Sequence, residues 1–454
     1  MMESSLLDAA DSMHGTLHGA DATFRGVSTD TRTISAGELF VALQGPNFDG
    51  SRFVDAAAGA QAAGAVVARK MPTALPLIKV DDTRVALGQL AAEWRRRMPA
   101  TVVGITGSNG KTTLKEMIAS CLSLAAVTLA TEGNLNNDIG LPLMLLRLGP
   151  KHRYAVLEMG ANHAREIAYL GSLAESQVVV ITNAAPAHLE GFGSLQGVAQ
   201  AKGEILETPC RPEVAVLNAD DPYYEFWCAK ATDLRVVSFA LDAVATVSAS
   251  DIQSGGKGTR FNLRLPDNSV PIELPLAGRH NVLNACAAAA VAFALDIPVE
   301  HIRQGLAATG PVGGRLQPLD APGGAIIYDD SYNANPVSVI AAAEFLAAQP
   351  GDTILVLSDM AELGDDAAAL HAEVGRVAGK AGIGRLLACG ELSRHTVASF
   401  GEGGHWFAGV AELTDSLRKL TGPRSKILVK GSRSMRMERV IDALLETSDA
   451  AEAG

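Results

Sequence analysis

Residues 102–113 read V-V-G-I-T-G-S-N-G-K-T-T, an apolar β-branched run that passes into a glycine turn and ends in Lys-Thr-Thr. Gly107 and Gly110 let backbone N–H groups face an anion, and the helix predicted to follow directs its positive N-terminus at the same point. Lys111 can then reach the β- and γ-phosphates of a nucleotide, and the Thr112 hydroxyl can bind Mg²⁺. The stretch therefore predicts a strand, a phosphate-binding loop and a helix, although its Gly-x-x-Gly-Lys-Thr spacing is two residues shorter than the general pattern.

The strand-then-turn pattern recurs towards the C-terminus. Short apolar runs at 154–158, 178–182 and 214–218 are each followed by polar or glycine-rich turns. Strands this apolar are expected in a parallel sheet that is covered by helices on both faces. After the glycine-rich segment 310–314, a second group of strand patterns predicts a further, smaller doubly wound unit, at 325–328, 353–357, 385–389 and 426–429.

Composition changes divide the chain into three predicted domains. Residues 1–98 mix short strands with alanine-rich helical segments and end in the basic cluster 94–97, W-R-R-R, which is interpreted as a solvated helix end at an inter-domain link. The predicted fold class is α/β in three parts. These are a small N-terminal α/β domain over 1–98, a central parallel-sheet domain with the phosphate loop over 99–311, and a Rossmann-like C-terminal domain over 312–454.

The overall composition excludes several classes of protein. With 454 residues, 48% hydrophobic and 19% charged, the chain is expected to be globular rather than disordered. The net charge of −12 without a basic run argues against a nucleic-acid partner. The longest apolar run, 285–295, is too short to cross a bilayer, and the N-terminus lacks the basic start of a signal peptide. We therefore expect no membrane insertion and a cytoplasmic protein, with a monomer as the default. The five scattered cysteines suggest neither a disulfide framework nor a zinc site.

Polar residues just past the predicted strands are the candidates for chemistry, because ligands sit beyond the carboxyl ends of parallel strands. Glu158 ends one strand and is placed to hold Mg²⁺, although a carboxylate in water fits the same position. His188 lies in a loop after the next strand, and Lys202 lies on a helical stretch. A single histidine is commonly structural, and a surface lysine is the default for Lys202. Asp330 closes a later strand in an Asp-Asp pair, where turn chemistry is an equal explanation.

In their order along the chain, these motifs resemble the Mur ligase family of ATP-dependent amide-forming enzymes. That family has the short phosphate loop, and the resemblance spans nearly the whole chain. G-N-L-N-N-D-I-G-L-P at 133–142 resembles its second glycine-asparagine loop, and G-R-H-N-V-L-N at 278–284 resembles its adenine-contacting segment. The resemblance implies ATP and two Mg²⁺ ions, with Thr112, Glu158 and His188 as metal ligands and Lys202 as a carbamylated lysine that also meets the metal.

The resemblance also assigns the remaining site residues. The catalytic set is Lys111, Glu158, His188 and Lys202. The nucleotide-binding set is Gly107, Ser108, Asn109, Gly110, Lys111, Thr112 and Thr113 for the phosphates, Asn281 and Asn284 for the adenine, and Arg315 and Asp330 for the phosphates and ribose. The substrate-binding set is Ser28, Thr31, Arg32, Asn47, Asn134, Asn137, Asn333 and Asn335.

Four local stretches, at 158–163, 187–194, 330–336 and 359–364, resemble one branch of the family more than the others. Members of that branch join D-alanyl-D-alanine to UDP-N-acetylmuramoyl-tripeptide through an acyl phosphate, in peptidoglycan precursor synthesis. Two departures, Ser51 and Ala164-Arg165, bear on substrate contacts rather than on the reaction. The alternatives are a sibling or folylpolyglutamate-type ligase, a nucleotide-dependent switch or small-molecule kinase, and a silent binding subunit. The sequence does not choose between diaminopimelate and lysine as the third peptide residue, and it indicates no general base.

Overall fold

Three β-sheets organise the chain in the computed structural model, which describes residues 2–45, 48–256 and 258–446. Within these residues the sheets have five, nine and six strands, in that order along the chain, and two short strand pairs accompany the first sheet. The three sheets follow the three predicted parts of the sequence, so the α/β class is confirmed.

The N-terminal region is a small mixed sheet with helices beside it. Its strands run in the order β2-β9-β8-β5-β4, with β2 antiparallel to β9 and the other pairs parallel. Its elements are β1 Ser4–Ser5, α1 Leu6–Ser12, β2 Thr16–His18, β3 Thr23–Phe24, β4 Val27–Ser28, β5 Leu39–Val41, β6 Gln44–Gly45, β7 Phe48–Asp49, α2 Val54–Gly59, β8 Gly64–Val67, β9 Leu77–Lys79 and α3 Thr83–Arg96.

The central region carries the longest sheet. Its elements are β10 Thr101–Thr106, α4 Lys111–Ser123, β11 Thr128–Ala130, α5 Gly140–Leu145, β12 Tyr154–Glu158, α6 Glu166–Ala174, β13 Val178–Ile181, α7 Leu189–Phe192, α8 Leu195–Gly203, β14 Val214–Asn218, α9 Tyr224–Lys230, β15 Arg235–Ala240, β16 Val247–Ser254, β17 Thr259–Leu265, β18 Asn268–Leu274, α10 Arg279–Ala294 and α11 Val299–Ala308. The order is β11-β12-β10-β13-β14-β15-β16-β17-β18. The predicted strands at 102–106, 154–158, 178–182 and 214–218 are all present.

The central sheet is parallel over most of its width, as predicted, and antiparallel at one edge. The strands from β11 to β16 are parallel, but β16, β17 and β18 pair antiparallel and extend the sheet at one edge. In β17 buried residues alternate with more exposed ones, which is the pattern of a strand with one covered and one solvated face. The extension therefore needs helices on one side only, and α10 and α11 lie against it.

The C-terminal region is doubly wound, as predicted. Its elements are β19 Gln317–Asp320, β20 Ile326–Asp330, α12 Pro336–Ala347, β21 Asp352–Ser358, α13 Ala367–Lys380, β22 Arg385–Cys389, α14 Ser393–Phe400, β23 Gly404–Phe407, α15 Val410–Leu420, β24 Ser425–Lys430 and α16 Glu438–Leu445. The order is β19-β20-β24-β21-β22-β23, and β19 at the edge is the antiparallel strand. One apolar core packs α12 and α13 on one face, and a second packs α15 and α16 on the other.

The N-terminal and central regions share one hydrophobic core. Leu90 and Trp94 of α3 belong to the same buried cluster as Met144 of α5 and Leu170 of α6. The indole of Trp94 donates a hydrogen bond to the carbonyl of Leu148 at 2.9 Å, so its polar atom is satisfied inside that core. The helix α3 therefore joins the two regions instead of separating them.

The interpretation of residues 94–97 as a solvated helix end is wrong for its first two members. Trp94 and Arg95 are buried, and only Arg96 and Arg97 are exposed. The Arg95 guanidinium donates to the carbonyl of Ala174 at 2.9 Å and to Gln177 Oε1 at 3.2 Å. Buried polar groups need such partners, and these come from a segment that lies far along the sequence. The apolar run 285–295 forms the C-terminal part of α10 and its C-cap residue, and no helix of the described residues has the length and apolarity to cross a membrane.

Candidate active site

The phosphate loop lies where β10 ends and α4 begins. Gly107 has φ 143° and Gly110 has φ 82°, both in the region that favours glycine, and Gly110 is the N-cap of α4. A Cβ at Gly107 would collide with the Thr182 hydroxyl, and one at Gly110 would lie 2.6 Å from Asn284 Oδ1. Both glycines of the short motif are therefore required by conformation and by space.

The loop is fixed to the end of the neighbouring strand β13. The backbone N–H of Ser108 donates to the Asn183 carbonyl at 3.0 Å, and that of Asn109 donates to Asn183 Oδ1 at 3.0 Å. The Lys111 ammonium donates to the Gly107 carbonyl at 2.7 Å, and burial lowers its pKa. The lysine thus lies folded over its own loop, where an anion would be bound.

Glu158 stands directly beside this loop, at the end of β12. Its side chain is 3% exposed and accepts two hydrogen bonds, from the Thr112 hydroxyl at 2.9 Å and from Asn136 Nδ2 at 2.8 Å. These contacts bring hard oxygen atoms from two elements together, which is the ligand type that Mg²⁺ prefers. The pair Thr112 and Glu158 therefore forms one candidate half-shell for a metal ion at the phosphates.

His188 and Lys202 reach the same cavity from the segment after β13. His188 has φ 55° at the start of α7, and burial lowers its pKa. Lys202 is 2% exposed on α8, so the default of a surface lysine is wrong. Its ammonium lies 5.2 Å from the Phe192 ring centroid, and burial together with the charge of Lys111 lowers its pKa to about 7. A buried amine with a pKa near neutrality is a reactive group.

Side-chain contacts bring the C-terminal region onto this site. Arg315 Nη2 lies 3.2 Å from the Thr112 hydroxyl. The side-chain amides of Asn109 and Asn335 exchange hydrogen bonds, 2.7 Å in one direction and 3.4 Å in the other. The imidazole of His188 bonds the carboxylate of Glu362. The structure therefore closes the C-terminal region over the phosphate loop.

Asp330 forms a buried ion pair at the end of β20. Its Oδ2 accepts from Lys430 Nζ at 2.7 Å, and its Oδ1 accepts from the backbone N–H of Leu316 at 3.1 Å. Lys430 also donates to the Asn333 carbonyl at 2.9 Å. The turn after β20 is therefore held in place by a charge pair rather than by turn chemistry alone.

These groups line a cavity of about 860 Å³ between the central and C-terminal regions. The predicted residues in its wall are Gly107, Ser108, Asn109, Lys111, Asn134, Asn137, Glu158, His188, Lys202, Arg315, Asn333 and Asn335. Gly110, Thr112, Thr113 and Asp330 lie directly behind this wall, as parts of the same loop, helix and strand.

Other predicted residues lie elsewhere. The amide of Asn281 donates to the Ala277 carbonyl at 2.7 Å, and Asn284 lies behind Gly110, so both face protein in this structure. Ser28, Thr31 and Arg32 are in the N-terminal region and do not line the cavity. There Arg32 forms an ion pair with Asp30 at 2.6 Å, and Asn47 lies outside the described residues.

The cavity contains residues that the sequence did not assign. Asn136 holds Glu158, and Tyr332 lies under the Arg315 guanidinium at 4.2 Å from its ring centroid. Lys430, Glu362 and Arg433 are unassigned charges that line the same wall as Asn136 and Tyr332. Glu362 belongs to the D-M-A-E-L-G stretch and Asn136 to the asparagine-rich loop. The sequence therefore indicated both motifs, but it did not indicate a role for these two residues.

The fold and the site together define an ATP-dependent amide ligase with a phosphate-binding loop, and the chain belongs to the Mur ligase family. Three family models match consecutive parts of it. They are "Mur ligase family, catalytic domain" at residues 23–95, "Mur ligase middle domain" at 105–292, and "Mur ligase, glutamate ligase domain" at 314–433.

Relatives of full length carry one particular name. The chain is 45% identical to "UDP-N-acetylmuramoyl-tripeptide--D-alanyl-D-alanine ligase" of Escherichia coli (strain K12), over 98% of this chain and 99% of that protein. It is similar to the crystal structure of MurF from Acinetobacter baumannii, with 35% identity, coverage of 98% and 99%, and a TM-score of 0.93. It also resembles the MurF ligase of Thermotoga maritima in complex with ADP, with 26% identity, coverage of 93% and 97%, and a TM-score of 0.83.

Proposed function

We propose that this chain is an ATP-dependent ligase that joins D-alanyl-D-alanine to the C-terminal carboxylate of UDP-N-acetylmuramoyl-tripeptide in peptidoglycan precursor synthesis. One observation carries the proposal: the phosphate loop, Glu158, His188 and Lys202 meet the C-terminal region in a single cavity. The names of the full-length relatives support the choice of substrates.

The proposed reaction has two steps. An oxygen of the tripeptide carboxylate attacks the γ-phosphorus of ATP and ADP leaves, which gives an acyl phosphate. The amine nitrogen of D-alanyl-D-alanine then attacks the carbonyl carbon, the C–N bond forms, phosphate leaves, and the amine loses a proton. The Lys111 ammonium and the N-terminus of α4 receive the phosphate oxygens and offset repulsion between the phosphate and the carboxylate.

The residues beside the phosphate loop fit one Mg²⁺ ion. The Thr112 hydroxyl and the Glu158 carboxylate would hold it with two oxygen atoms that lie 2.9 Å apart, and the cavity leaves room for water as further ligands. When bound, Mg²⁺ would offset the charge that develops on the transferred phosphate. Asn136 and Arg315 hold these two ligands from either side.

A second ion needs a change at Lys202. No cluster of three acidic, histidine or cysteine side chains that could hold a metal is found among the described residues, and an ammonium repels a cation. With a pKa of about 7, the Lys202 amine is substantially neutral at physiological pH. Its nitrogen can attack CO₂ and lose one proton, which gives a carbamate. The carbamate and His188 then form an oxygen and nitrogen pair that suits a second ion.

The three regions divide the proposed work. Residues 1–98, with Ser28, Thr31, Arg32 and Asn47, hold the UDP-sugar. Residues 99–311 hold ATP and the metal ions. Asn281 and Asn284, which face protein in this structure, are proposed to turn towards the adenine when ATP binds. Residues 312–454 close with Arg315 and Asp330 and keep water from the acyl phosphate. Asn134, Asn137, Asn333 and Asn335 supply amides for the peptide. The proposal includes the cytoplasm as location and a monomer as the working form.

The test is phosphate release from ATP with UDP-muramoyl-tripeptide, in the presence and absence of D-alanyl-D-alanine. Release that depends on the dipeptide, together with a product whose mass equals both substrates less water, is the expected result. Tripeptides ending in diaminopimelate and in lysine are compared side by side. Turnover driven by a different amine, such as glutamate, would replace the acceptor in the proposal, and Lys111→Ala provides the inactive control.

A further inference from the structure

The C-terminal wall of the cavity carries two opposite charges that the phosphate and metal chemistry does not use. Glu362 follows β21 and Arg433 follows β24, so both stand at the carboxyl ends of adjacent strands. Both line the cavity. Lys430, the neighbouring cation, is instead committed to Asp330.

The two loops that carry these charges are tied to each other. The backbone N–H of Ala361 donates to the Ser432 hydroxyl at 2.7 Å, and the backbone N–H of Ser432 donates to the Asp359 carbonyl at 3.2 Å. Each charged residue directly follows a member of this hydrogen-bonded contact. The separation of Glu362 and Arg433 is therefore set by the sheet and does not depend on long free loops.

Glu362 has the least committed carboxylate in the cavity. The other lining carboxylates, Asp138, Glu158 and Glu166, are each held by protein donors of the N-terminal or central region. Within the described part of the chain, the Glu362 carboxylate contacts only the imidazole of His188, across the cleft, and it remains 47% exposed. It therefore presents an anion on the side of the cavity where the proposed acyl transfer takes place.

Arg433 has spare donors. A guanidinium has five N–H groups, and among the described residues the side chain of Glu438 takes up one of its nitrogens, with Oε1 at 3.3 Å. The Arg433 side chain is 64% exposed, and its Cζ lies 5.8 Å from the Tyr332 ring centroid in the cavity wall. A planar guanidinium of this kind is suited to a carboxylate.

We infer that Glu362 and Arg433 bind the two charged ends of the amine substrate. Glu362 receives the ammonium of D-alanyl-D-alanine and holds that nitrogen near His188, and Arg433 receives the carboxylate at the other end. This inference rests on the proposed function, since it takes the dipeptide as the substrate. Two residues of extended chain span about 7 Å, and adjacent strands lie about 5 Å apart, so side chains from these two loops can bracket a dipeptide.

The test compares acid and amide forms of the dipeptide on two enzymes. For the intact enzyme, D-alanyl-D-alanine amide lacks the carboxylate and its KM is expected to be about 10- to 100-fold higher, the value of one charged hydrogen-bonded contact. Arg433→Gln is expected to raise the KM for the acid by the same factor and to use acid and amide almost equally well. The KM values for ATP and UDP-tripeptide are expected to stay within about twofold.

Two further variants make the comparison specific. Arg436→Gln changes an arginine of the same loop that does not line the cavity and is expected to keep the kinetics of the intact enzyme. Glu362→Gln is expected to raise the KM for both acid and amide, because both forms keep the ammonium.

The inference is overturned if Arg433→Gln still discriminates the acid from the amide form of the dipeptide. It is also overturned if the KM values for the dipeptide, ATP and UDP-tripeptide all rise together in this variant. If Arg433→Gln does not fold, the KM values of the intact enzyme for the acid and the amide form of the dipeptide decide. Equal values would mean that no residue of the site binds the carboxylate, which overturns the inference. Absence of any dipeptide-dependent phosphate release with the intact enzyme overturns the proposed function and this inference together. Dipeptide-dependent release that is insensitive to the carboxylate overturns only the inference.

Discussion

Replacing Gly110 by alanine tests the short phosphate loop at the point where it touches α10. The residue has φ 82°, and its missing Cβ would lie 2.6 Å from Asn284 Oδ1. The conformation alone costs alanine about 1–2 kcal/mol, because an L side chain is disfavoured in the left-handed region. The contact adds a second cost, since Asn284 has to withdraw by several tenths of an ångström.

The size of the second cost follows from the surroundings of Asn284. The side chain is 8% exposed and donates to Asn281 Oδ1 at 3.4 Å. Movement breaks this bond and leaves a buried amide without a partner, at about 1–3 kcal/mol. Gly37 provides the control, because it has φ 83° and a Cβ built on it meets nothing within 4 Å. Gly110→Ala is therefore expected to destabilise the protein by about 1–3 kcal/mol more than Gly37→Ala.

Urea unfolding followed by tryptophan fluorescence measures this difference. Trp94 and Trp227 lie in the shared core of the N-terminal and central regions, so both report on the unit that contains both glycines. The midpoints are comparable if the slopes with urea agree. In an Asn284→Ala background, the excess cost of Gly110→Ala is expected to disappear. Equal costs at the two glycines, or an excess that persists without Asn284, would refute the steric argument.

The remaining predictions concern the lysine, the metal and the buried arginine. Because burial places the pKa of Lys202 near 7, labelled CO₂ is expected to give a carbamate ¹³C signal that grows from pH 6 to pH 8 and is absent in Lys202→Met; an unchanged signal in the variant would remove the role. Glu158→Gln keeps the volume but loses the charge, so phosphate release is expected to fall at least about 100-fold, and chelation with EDTA is expected to have the same effect on the intact enzyme. Arg95→Met removes the donor from the buried Ala174 carbonyl and from two partly buried carbonyls, and is expected to cost about 3 kcal/mol in urea unfolding. The exposed Arg97→Met is expected to cost under about 0.5 kcal/mol. A similar loss for both arginine variants would contradict the burial argument.

Local pattern determined much of the fold. Buried parallel strands such as β12, Tyr154–Glu158, and β14, Val214–Asn218, are continuous apolar runs, so their bounds were predicted from the sequence. The antiparallel extension was missed even though T-R-F-N-L-R-L at 259–265 alternates apolar and polar residues, the period of a half-covered strand. The alternation at 259–265 indicates an antiparallel strand, but the continuous apolar runs of the preceding strands are the stronger pattern and favour a parallel sheet.

Long-range partners account for the other errors. The burial of Arg95 depends on the carbonyls of 174–175 and the amide of Gln177, which the sequence places about 80 positions away. The burial of Lys202 could not be predicted from its own helix α8, because Phe192, whose ring lies against the ammonium, belongs to α7. In the site, the loop glycines and Glu158 were accessible from motif and strand position. The partners of Glu158 and His188, which are Asn136 and Glu362, required the fold.

The hydrogen-bonded amide pair of Asn109 and Asn335 links the phosphate loop of the central region to the C-terminal region. It carries no formal charge, so its strength does not change with ionic strength or with pH over the range in which proteins fold. The contact between His188 and Glu362 spans the same cleft, and its strength depends on both ionic strength and pH. High salt is thus expected to weaken the His188–Glu362 contact while leaving the Asn109–Asn335 amide pair intact. The effects of the two contacts can therefore be separated without any mutation. A triphosphate that enters the loop therefore meets a surface to which the N-terminus of α12 is already hydrogen-bonded. The uncharged amide pair keeps the central and C-terminal halves of the site aligned.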